Sequence, residues 1–413
     1  MRRLAIILSA AVLFIGLTGC ASGETSSSGA SPGPFSSKVD GNTDETAGLR
    51  FVSSMGGAYG TSDGYYFIRN NHQEKITDND YGTLMYIDYK TKRAVPLCSK
   101  GNCAHSNAGC TSYLQDMGGQ GLFVYGQTVY RLSDAVTDGG AEVPGIVASD
   151  VDGSNRRMVY RLDSGMAWLR DFAFGNGMLY ADTLVYKASE ENDMFMTGSD
   201  EDSRLLAVDL KSGKGEVVCD LSGRKLVGVK DDWLILTEVK DSRRVFLKFN
   251  PADKSLTAIG DIPQSAAFAV DGGKVYFAEA KKASLSVLDL VDGRTASLAS
   301  GLPASPDTLS VWGGYVICSY SDVGGCQAHF SVPAAGGEAH SVNLMTAGLD
   351  FAFPVSVKAA YGDRLLVITG VEMATEYVPW VGVWQDYIAK EKYALIATAD
   401  FMAGRAQYET IAD

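Results

Sequence analysis

Residues 267–299 read AFAVDGGKVYFAEAKKASLSVLDLVDGRTASLA. This stretch contains four short apolar segments, at Ala267–Val270, Lys274–Ala278, Leu285–Leu288 and Arg294–Leu298. Asp-Gly-Gly separates the first two segments and Val-Asp-Gly the last two, and both Gly and Asp tolerate the positive φ of tight hairpin turns. Val, Tyr and Phe favour a pleated, half-buried surface. The stretch therefore predicts a four-stranded antiparallel meander, which is the unit of a β-propeller blade.

The unit recurs along the chain. An Asp or its substitute ends the third strand of each copy, at Asp88, Asp150, Asp209, Asn250, Asp289, Pro333 and Asp400. Because one blade cannot bury its own faces, such copies must stack on one another. We therefore predict an all-β fold, a seven-bladed β-propeller of four-stranded antiparallel blades, over residues 48–413. Six or eight blades is the alternative if one irregular copy is misassigned, and a pair of β-sandwiches is the competing fold.

Residues 1–19 have the pattern of a lipoprotein signal peptide. Arg2 and Arg3 form a basic start, and the apolar run at residues 4–16 is too short to span a bilayer. The run ends in Leu17-Thr18-Gly19-Cys20, which resembles a bacterial lipobox, the signal in which the peptide is cleaved before the cysteine and the cysteine is acylated. We predict lipidation (palmitate or a similar acyl chain) at Cys20 and anchoring to the cell membrane on its extracytoplasmic side. An uncleaved anchor or an ordinary signal peptide is the alternative.

Residues 20–47 contain the lipidated Cys followed by a stretch rich in Gly, Ser, Pro and Thr, which predicts a disordered tether. The formal net charge of the chain is −13, which argues against nucleic acid and anionic lipid headgroups as partners. The charge suits neutral or cationic ligands and metal ions. The charge is equally consistent with a role in solubility alone, in which acidity keeps an exported protein soluble.

The longest insertions are predicted between the second and third strands of four blades, at residues 69–82, 133–145, 187–203 and 370–391. In an up-and-down meander these loops and the blade-to-blade connections emerge on the same face. Long loops on a rigid scaffold commonly bind ligands. We therefore expect that face to be the functional surface.

Three cysteines and a histidine lie within thirteen residues, in the spacing C-x4-C-x-H-x4-C formed by Cys98, Cys103, His105 and Cys110. Three thiolates and one imidazole can close a tetrahedral structural zinc site. The alternative is a disulfide with one thiol left over, since disulfides form outside the cytoplasm. Cys318 and Cys326 flank a short hairpin, roughly opposite each other, and are a second disulfide candidate.

The stretch LMYIDYKTKRAVPLCSKGNCAHSNAGC, at residues 84–110, resembles a segment of exported Gram-positive lipoproteins with TolB-like propeller domains of unknown function. In blade 2, Ser149-Asp150-Val151-Asp152-Gly153-Ser154-Asn155-Arg156-Arg157 is similar to the Asp-Gly-Ser-Asn turn of TolB-type repeats. The resemblance implies a propeller fold and placement at the cell surface, and it carries over no catalytic residue.

The blade 7 insertion concentrates four aromatic side chains, Tyr377, Trp380, Trp384 and Tyr387. Aromatic side chains on a loop can stack on sugars or anchor a peptide, or they can pack down on the rim of the propeller. No G-x-S-x-G elbow, P-loop or H-E-x-x-H motif is present in the sequence. We therefore predict an interaction module for a protein, peptide or carbohydrate ligand rather than an enzyme. A carbohydrate-active hydrolase or lyase, and a structural subunit of an envelope complex, are the alternatives.

Overall fold

The computed structural model describes residues 48–413 except 54–56, 72–80, 99, 101, 116–118, 139–140, 189–195, 198–201, 322–326, 350–352 and 379–382. The predicted signal peptide, Cys20 and the tether therefore lie outside the described residues. The described part folds as seven four-stranded antiparallel blades, which confirms the seven-bladed propeller. No helix in this part of the chain is both long enough and apolar enough to cross a membrane.

The strands of the first three blades follow a single short strand, β1 (Arg50–Ser53). Blade 1 consists of β2 (Ala58–Gly60), β3 (Gly64–Asn71), β4 (Tyr81–Asp88) and β5 (Arg93–Pro96), with β6 (Tyr113–Leu114) also pairing with β4. Blade 2 consists of β7 (Gly119–Tyr125), β8 (Thr128–Asp138), β9 (Ala141–Asp150) and β10 (Arg157–Arg161). Blade 3 consists of β11 (Met166–Gly175), β12 (Met178–Val185), β15 (Ser203–Asp209) and β16 (Gly215–Asp220), with the small pair β13 (Lys187–Ala188) and β14 (Met196–Thr197) between its second and third strands.

The remaining four blades follow without interruption. Blade 4 consists of β17 (Lys225–Lys230), β18 (Trp233–Lys240), β19 (Arg243–Asn250) and β20 (Ser255–Pro263). Blade 5 consists of β21 (Ala267–Asp271), β22 (Lys274–Ala278), β23 (Ser284–Asp289) and β24 (Thr295–Ser300), within two residues of the predicted bounds. Blade 6 consists of β25 (Thr308–Trp312), β26 (Tyr315–Ser321), β27 (Gln327–Pro333) and β28 (His340–Val342). Blade 7 consists of β29 (Ser356–Tyr361), β30 (Arg364–Val378), β31 (Val383–Ala397) and β32 (Glu409–Thr410), with helix α1 (Thr398–Met402) before its last strand.

The antiparallel order gives the propeller two faces. The turns between strands one and two and between strands three and four emerge on one face, which we call the turn face. The loops between strands two and three and the blade-to-blade connections emerge on the other, which we call the loop face. The hydrophobic core lies mainly between blades, as where Val227 and Phe246 of blade 4 pack with Val275 and Leu288 of blade 5.

The Asp at the end of the third strand forms the following turn. The Oδ1 atom of Asp209 accepts hydrogen bonds from the backbone N–H groups of Lys211 (2.9 Å) and Ser212 (2.7 Å), and the Oδ1 atom of Asp88 accepts two equivalent bonds. An Asp that bonds the backbone two residues on stabilises a turn. The blade 7 marker was wrong, because β31 ends at Ala397 and Asp400 lies in α1.

In blades 3, 5 and 6 the turn between strands three and four packs on the last strand of the preceding blade. Gly213 shows why a glycine is needed there: its φ is +66°, and an added Cβ would lie 2.3 Å from the carbonyl oxygen of Val159.

We expect Gly213→Ala to lower the free energy of unfolding by at least about 2 kcal/mol more than Gly126→Ala does. Gly126 is the matched control, because its φ is +61° and an added Cβ would meet nothing within 4 Å. Equal losses in chemical denaturation of the two variants would contradict the proposed close packing.

Strand β1 lies in the central channel, which the sequence reasoning did not foresee. It pairs antiparallel with β11, the inner strand of blade 3, on the edge of β11 that faces the channel. The backbone N–H of Gly48 donates to Oδ1 of Asn176 (3.3 Å), and that of Leu49 donates to the carbonyl oxygen of Asp231 (3.4 Å). Asn176 and Asp231 belong to turns between first and second strands. The chain therefore enters the propeller on the turn face.

Candidate metal centre and binding ribbon

The last strand of blade 1 is built from two pieces, and the predicted metal ligands lie between them. Strand β5 ends where Pro96 pairs with Met85, and β6 resumes the pairing where Leu114 meets Gly82. Gly82 is at the start of β4, so this segment is on the loop face. Residues 97–112 therefore leave the sheet after β5 and return to it at β6. We call this segment the excursion.

The structure brings all four predicted ligands together. One donor atom from each of Cys98, Cys103, His105 and Cys110 lies within 4.8 Å of the others. The edges of a zinc tetrahedron with sulfur ligands are about 3.8 Å long, so the donors fit zinc after small shifts. All three thiols are free, which meets the requirement for metal binding rather than for a disulfide. Nδ1 of His105 lies 3.2 Å from Sγ of Cys110, the most buried of the four ligands.

The local backbone conformation directs the four candidate ligand side chains toward one another. Asn102 and His105 both have φ near +56°, a region that residues with a Cβ adopt at a cost. The N–H of Cys110 donates to the carbonyl oxygen of Asn107 (3.0 Å), which closes a turn before the last ligand. Sequence spacing alone does not reveal these conformations.

A second layer of contacts holds the ligands, and sequence reasoning missed it. The fully buried hydroxyl of Ser112 lies 3.0 Å from Sγ of Cys110 and 3.4 Å from Nδ1 of His105. Its neighbour Thr111 donates to the carbonyl oxygen of Leu97 (3.0 Å), which joins the two ends of the excursion. A buried serine two residues after the last cysteine carries no sequence signal of its own.

The thiol of Cys98 ionises more readily than an ordinary cysteine. Burial opposes its ionisation, but hydrogen bonds from the Lys100 backbone and from the side chains of Cys110, Thr111 and Cys103 outweigh burial and lower the pKa of Cys98 to about 7. The thiolate is the form that binds a metal ion.

The blade 7 insertion is a β-ribbon rather than a loop. Strands β30 and β31 continue well beyond the other strands of the blade and stay paired from Arg364↔Ala397 to Val378↔Val383. We call residues 370–378 and 383–392 the ribbon. The blade 2 insertion behaves similarly, since β8 and β9 pair up to Asp138 and Ala141. Topology places the ribbon on the loop face, because it connects strands two and three.

One face of the ribbon is open to solvent. Three cross-strand pairs form it: Met373↔Ile388, Thr375↔Asp386 and Tyr377↔Trp384. All six side chains are exposed, and Trp384 is the most exposed of the large hydrophobic ones here, at 71%. The rings of Tyr377 and Trp384 lie 5.5 Å apart between centroids, tilted by 54°. We call these six residues the ladder.

The structure thus divides the four predicted aromatic residues. Tyr377 and Trp384 form one rung of the ladder. Tyr387 pairs with Ala374 on the opposite face of the ribbon, where both are half-buried. Trp380 lies outside the described residues. Met373, Thr375, Asp386 and Ile388 were missed, because the insertion was interpreted as a loop and no register was assigned.

The predicted Cys318–Cys326 disulfide stays a prediction. Cys318 is a free thiol, fully buried in β26, and burial raises its pKa far above the ordinary value. The register places Phe330 opposite Cys318. Cys326 lies outside the described residues.

Two carboxyl groups of blade 3 lie close enough for the charge of one to act on the other. Asp171, on β11, accepts a hydrogen bond from Oγ of Ser53 in β1 (2.9 Å). Asp182, on β12, is buried; its Oδ2 accepts from the N–H of Leu226 (3.3 Å), and its Oδ1 is buried without a partner. A carboxylate-based enzyme would need such a pair to be open to substrate. Burial closes Asp182 to substrate, and this pair therefore does not support catalysis.

Asp182 should make stability depend on pH. Burial, and then repulsion by Asp171, raises its pKa well above the ordinary value. Between the unfolded and folded pKa values only the folded state holds the proton, so stability should fall by up to about 1.4 kcal/mol per pH unit as the pH rises. We expect Asp182→Asn to remove this slope in denaturant titrations at several pH values. Glu338→Gln, which changes an exposed carboxylate, is the control, and an unchanged slope in Asp182→Asn would contradict the assignment.

Comparison with known proteins shows similarity of fold and assigns no function. The sequence matches no protein-family model and no curated protein. Among solved structures, a prolyl endopeptidase is similar over 89% of this chain and 50% of its own, with 11% identity and a TM-score of 0.51. A puromycin hydrolase (12% identity, 86% of this chain, 53% of that chain, TM-score 0.48) and TolB from Acinetobacter baumannii (11% identity, 84% and 81%, TM-score 0.35) are also similar. The chain spans about half the length of the two hydrolytic enzymes, and at this identity the likeness shows fold alone.

Proposed function

We propose that the protein is a membrane-anchored extracytoplasmic lipoprotein whose propeller is a binding module. The basic start, the short apolar run and the lipobox ending in Cys20 support the anchor. A closed ring of seven blades provides a rigid platform for the loop face.

The observation that carries the proposal is the placement of the chain entry and the ribbon on opposite faces. The bonds of Gly48 and Leu49 attach the incoming chain to the turn face. The ribbon and the cysteine–histidine cluster belong to the loop face. A tether that leaves the turn face leaves the loop face free to meet a partner away from the membrane. An exposed apolar ladder on that face is typical of an interaction site.

The cysteine–histidine cluster has a structural role in this proposal. Three thiolates and one imidazole would fill all four positions of a zinc ion, which leaves none open for a substrate. The ion would hold the excursion between β5 and β6 in place. The same segment supports blade 2, because Gly153 of that blade sits against the carbonyl oxygens of Leu97 and Thr111.

The anchor is tested by Cys20→Ser in the full chain. We expect the wild-type protein to sediment with membranes and to incorporate a labelled fatty acid. The variant should appear in the soluble fraction without label, because a single uncleaved apolar run this short holds a membrane weakly. Cys219→Ser, which changes a cysteine of blade 3, should behave as the wild type. Membrane retention of the unlabelled Cys20→Ser variant would overturn the lipid anchor.

A further inference from the structure

The spacing between the rungs of the ladder and the charge of its middle rung restrict which partner can bind there. Its three rungs are two residues apart along each strand, which corresponds to about 6.8 Å between rungs. The outer rungs are apolar, one aliphatic (Met373 and Ile388) and one aromatic (Tyr377 and Trp384). The middle rung is polar, and Oγ1 of Thr375 donates to Oδ1 of Asp386 (2.5 Å).

The charge of this part of the ribbon is negative. Residues 373–388 contain two acidic residues and no Lys or Arg, in a chain of net charge −13. Asp386 is exposed, and its rung lies next to the rung formed by the Tyr377 and Trp384 rings. A carboxylate beside aromatic faces favours a cation, through charge attraction and the cation–π interaction.

The opposite face of the ribbon shows that the ladder is the surface left uncovered. Ala374 and Tyr387, which point the other way, are half-buried, whereas all six ladder side chains are exposed. A two-stranded ribbon with an apolar face is only marginally stable in water on its own. Covering the ladder would therefore stabilise the ribbon as well as bind the partner.

From this arrangement we infer that the ladder binds an extended, basic segment of a partner protein. Alternate side chains of an extended chain repeat at the same spacing as the rungs. A segment of the pattern apolar-x-Lys/Arg-x-apolar places its cation at Asp386 and its two apolar side chains on the outer rungs. The inference rests on the proposed binding function and specifies its partner.

The test is calorimetric titration of the detergent-solubilised full chain with two short synthetic peptides. One has the sequence Ser-Leu-Ser-Lys-Ser-Leu-Ser, and the other has Glu in place of Lys. We expect the Lys peptide to bind at least about tenfold more tightly than the Glu peptide, a difference that shrinks as salt is added. Asp386→Lys should reverse the preference, because it reverses the charge that the central residue meets.

Two further variants distinguish specific binding at the ladder from nonspecific binding of the peptide to exposed apolar side chains. Trp384→Ala should weaken binding of the Lys peptide about tenfold, since it removes most of the aromatic rung. Val291→Ala, which removes an equally exposed apolar side chain in blade 5, should leave binding unchanged. Both positions are on the surface, so both variants should unfold at the wild-type temperature.

Several results would overturn the inference. Equal binding of the two peptides would remove the role of Asp386. Trp384-dependent binding of a cello-oligosaccharide in place of either peptide would make the ladder a sugar site. Concentration-dependent dimerisation lost in Trp384→Ala would make a second copy of the chain the occupant. If the protein binds none of these ligands but is still anchored to the membrane through Cys20, the inferred partner is wrong, whereas the proposed membrane location is retained.

Discussion

Deleting residues 409–413 should lower the free energy of unfolding by about 5 kcal/mol or more, a large share of the total stability of a typical domain. These five residues join blade 7 to blade 1 at the outer edge of the core that the two blades share. Glu409 and Thr410 form β32 and pair with β31 of blade 7. Ala412 then crosses to blade 1, where its carbonyl oxygen accepts from the N–H of Ala94 (2.7 Å) and its N–H donates to the carbonyl oxygen of Lys92 (2.9 Å).

Charged and apolar contacts strengthen this closure. The side chain of Glu409 forms ion pairs with Lys92 and Arg364, one partner in each of the two blades. Asp413 does the same with Arg69 of blade 1 and Lys390 of blade 7. These side chains are about one-third exposed or more, so each pair adds little. The main loss in the deletion comes from the backbone bonds and from the buried side chain of Ile411.

The deletion is measured by chemical denaturation, with Asp413→Asn as the control. The single substitution weakens only exposed ion pairs and should cost less than about 1 kcal/mol. The other members of the buried core that blades 1 and 7 share are retained in the deletion, so the loss is confined to the outer edge of this interface. A deletion variant as stable as Asp413→Asn would show that the ring is held closed elsewhere.

Removing zinc should have the second large effect. We expect about one zinc ion per chain in protein purified without chelator. At free zinc a thousandfold above its dissociation constant, binding contributes about 4 kcal/mol, which a strong chelator would remove. The segment released first should be the excursion between β5 and β6, so hydrogen exchange should rise at residues 97–112 and at the blade 2 turn around Gly153.

Variants separate the metal site from a disulfide. Cys110→Ser should abolish zinc binding, because it removes the most buried ligand, whereas Cys219→Ser should keep the ion. Stability at low pH should also fall, since protons compete with zinc for the thiolates and the imidazole. Protein without zinc, and with fewer than six reactive thiols besides Cys20, would favour the disulfide with a leftover thiol.

The local sequence pattern predicted the blades because their determinants are local. Turn-forming Asp and Gly residues and short apolar segments recur at blade spacing, and the hydrogen bonds of Asp88 and Asp209 confirm the physical reason. Blade 7 was misplaced at its third-strand marker, since Asp400 follows the strand in α1. The meeting of the four candidate metal ligands was also predictable, because four donors within thirteen residues need only a tight local turn to meet.

The ribbon could have been recognised in part. The β-branched and aromatic residues on either side of Pro379-Trp380-Val381-Gly382 favour strands around a turn. The register could not be read from that pattern. A shift of one residue exchanges the two faces of a strand, and only the observed pairing puts Asp386 between the apolar rungs.

Sequence alone predicted the repeat and the cysteine–histidine cluster, which the structure confirms, and an export signal, which stays a prediction, because each depends on residues close together in the chain. Tertiary structure decided which side of the propeller the chain entry at Gly48, the cysteine–histidine cluster and the ribbon occupy. Strand β1 pairs with β11 more than a hundred residues away, and Ala412 pairs with the strand that follows Lys92 across almost the whole chain. Contacts at such separations depend on the closure of the ring, which no local pattern encodes. They put the chain entry on the turn face and the ladder on the loop face.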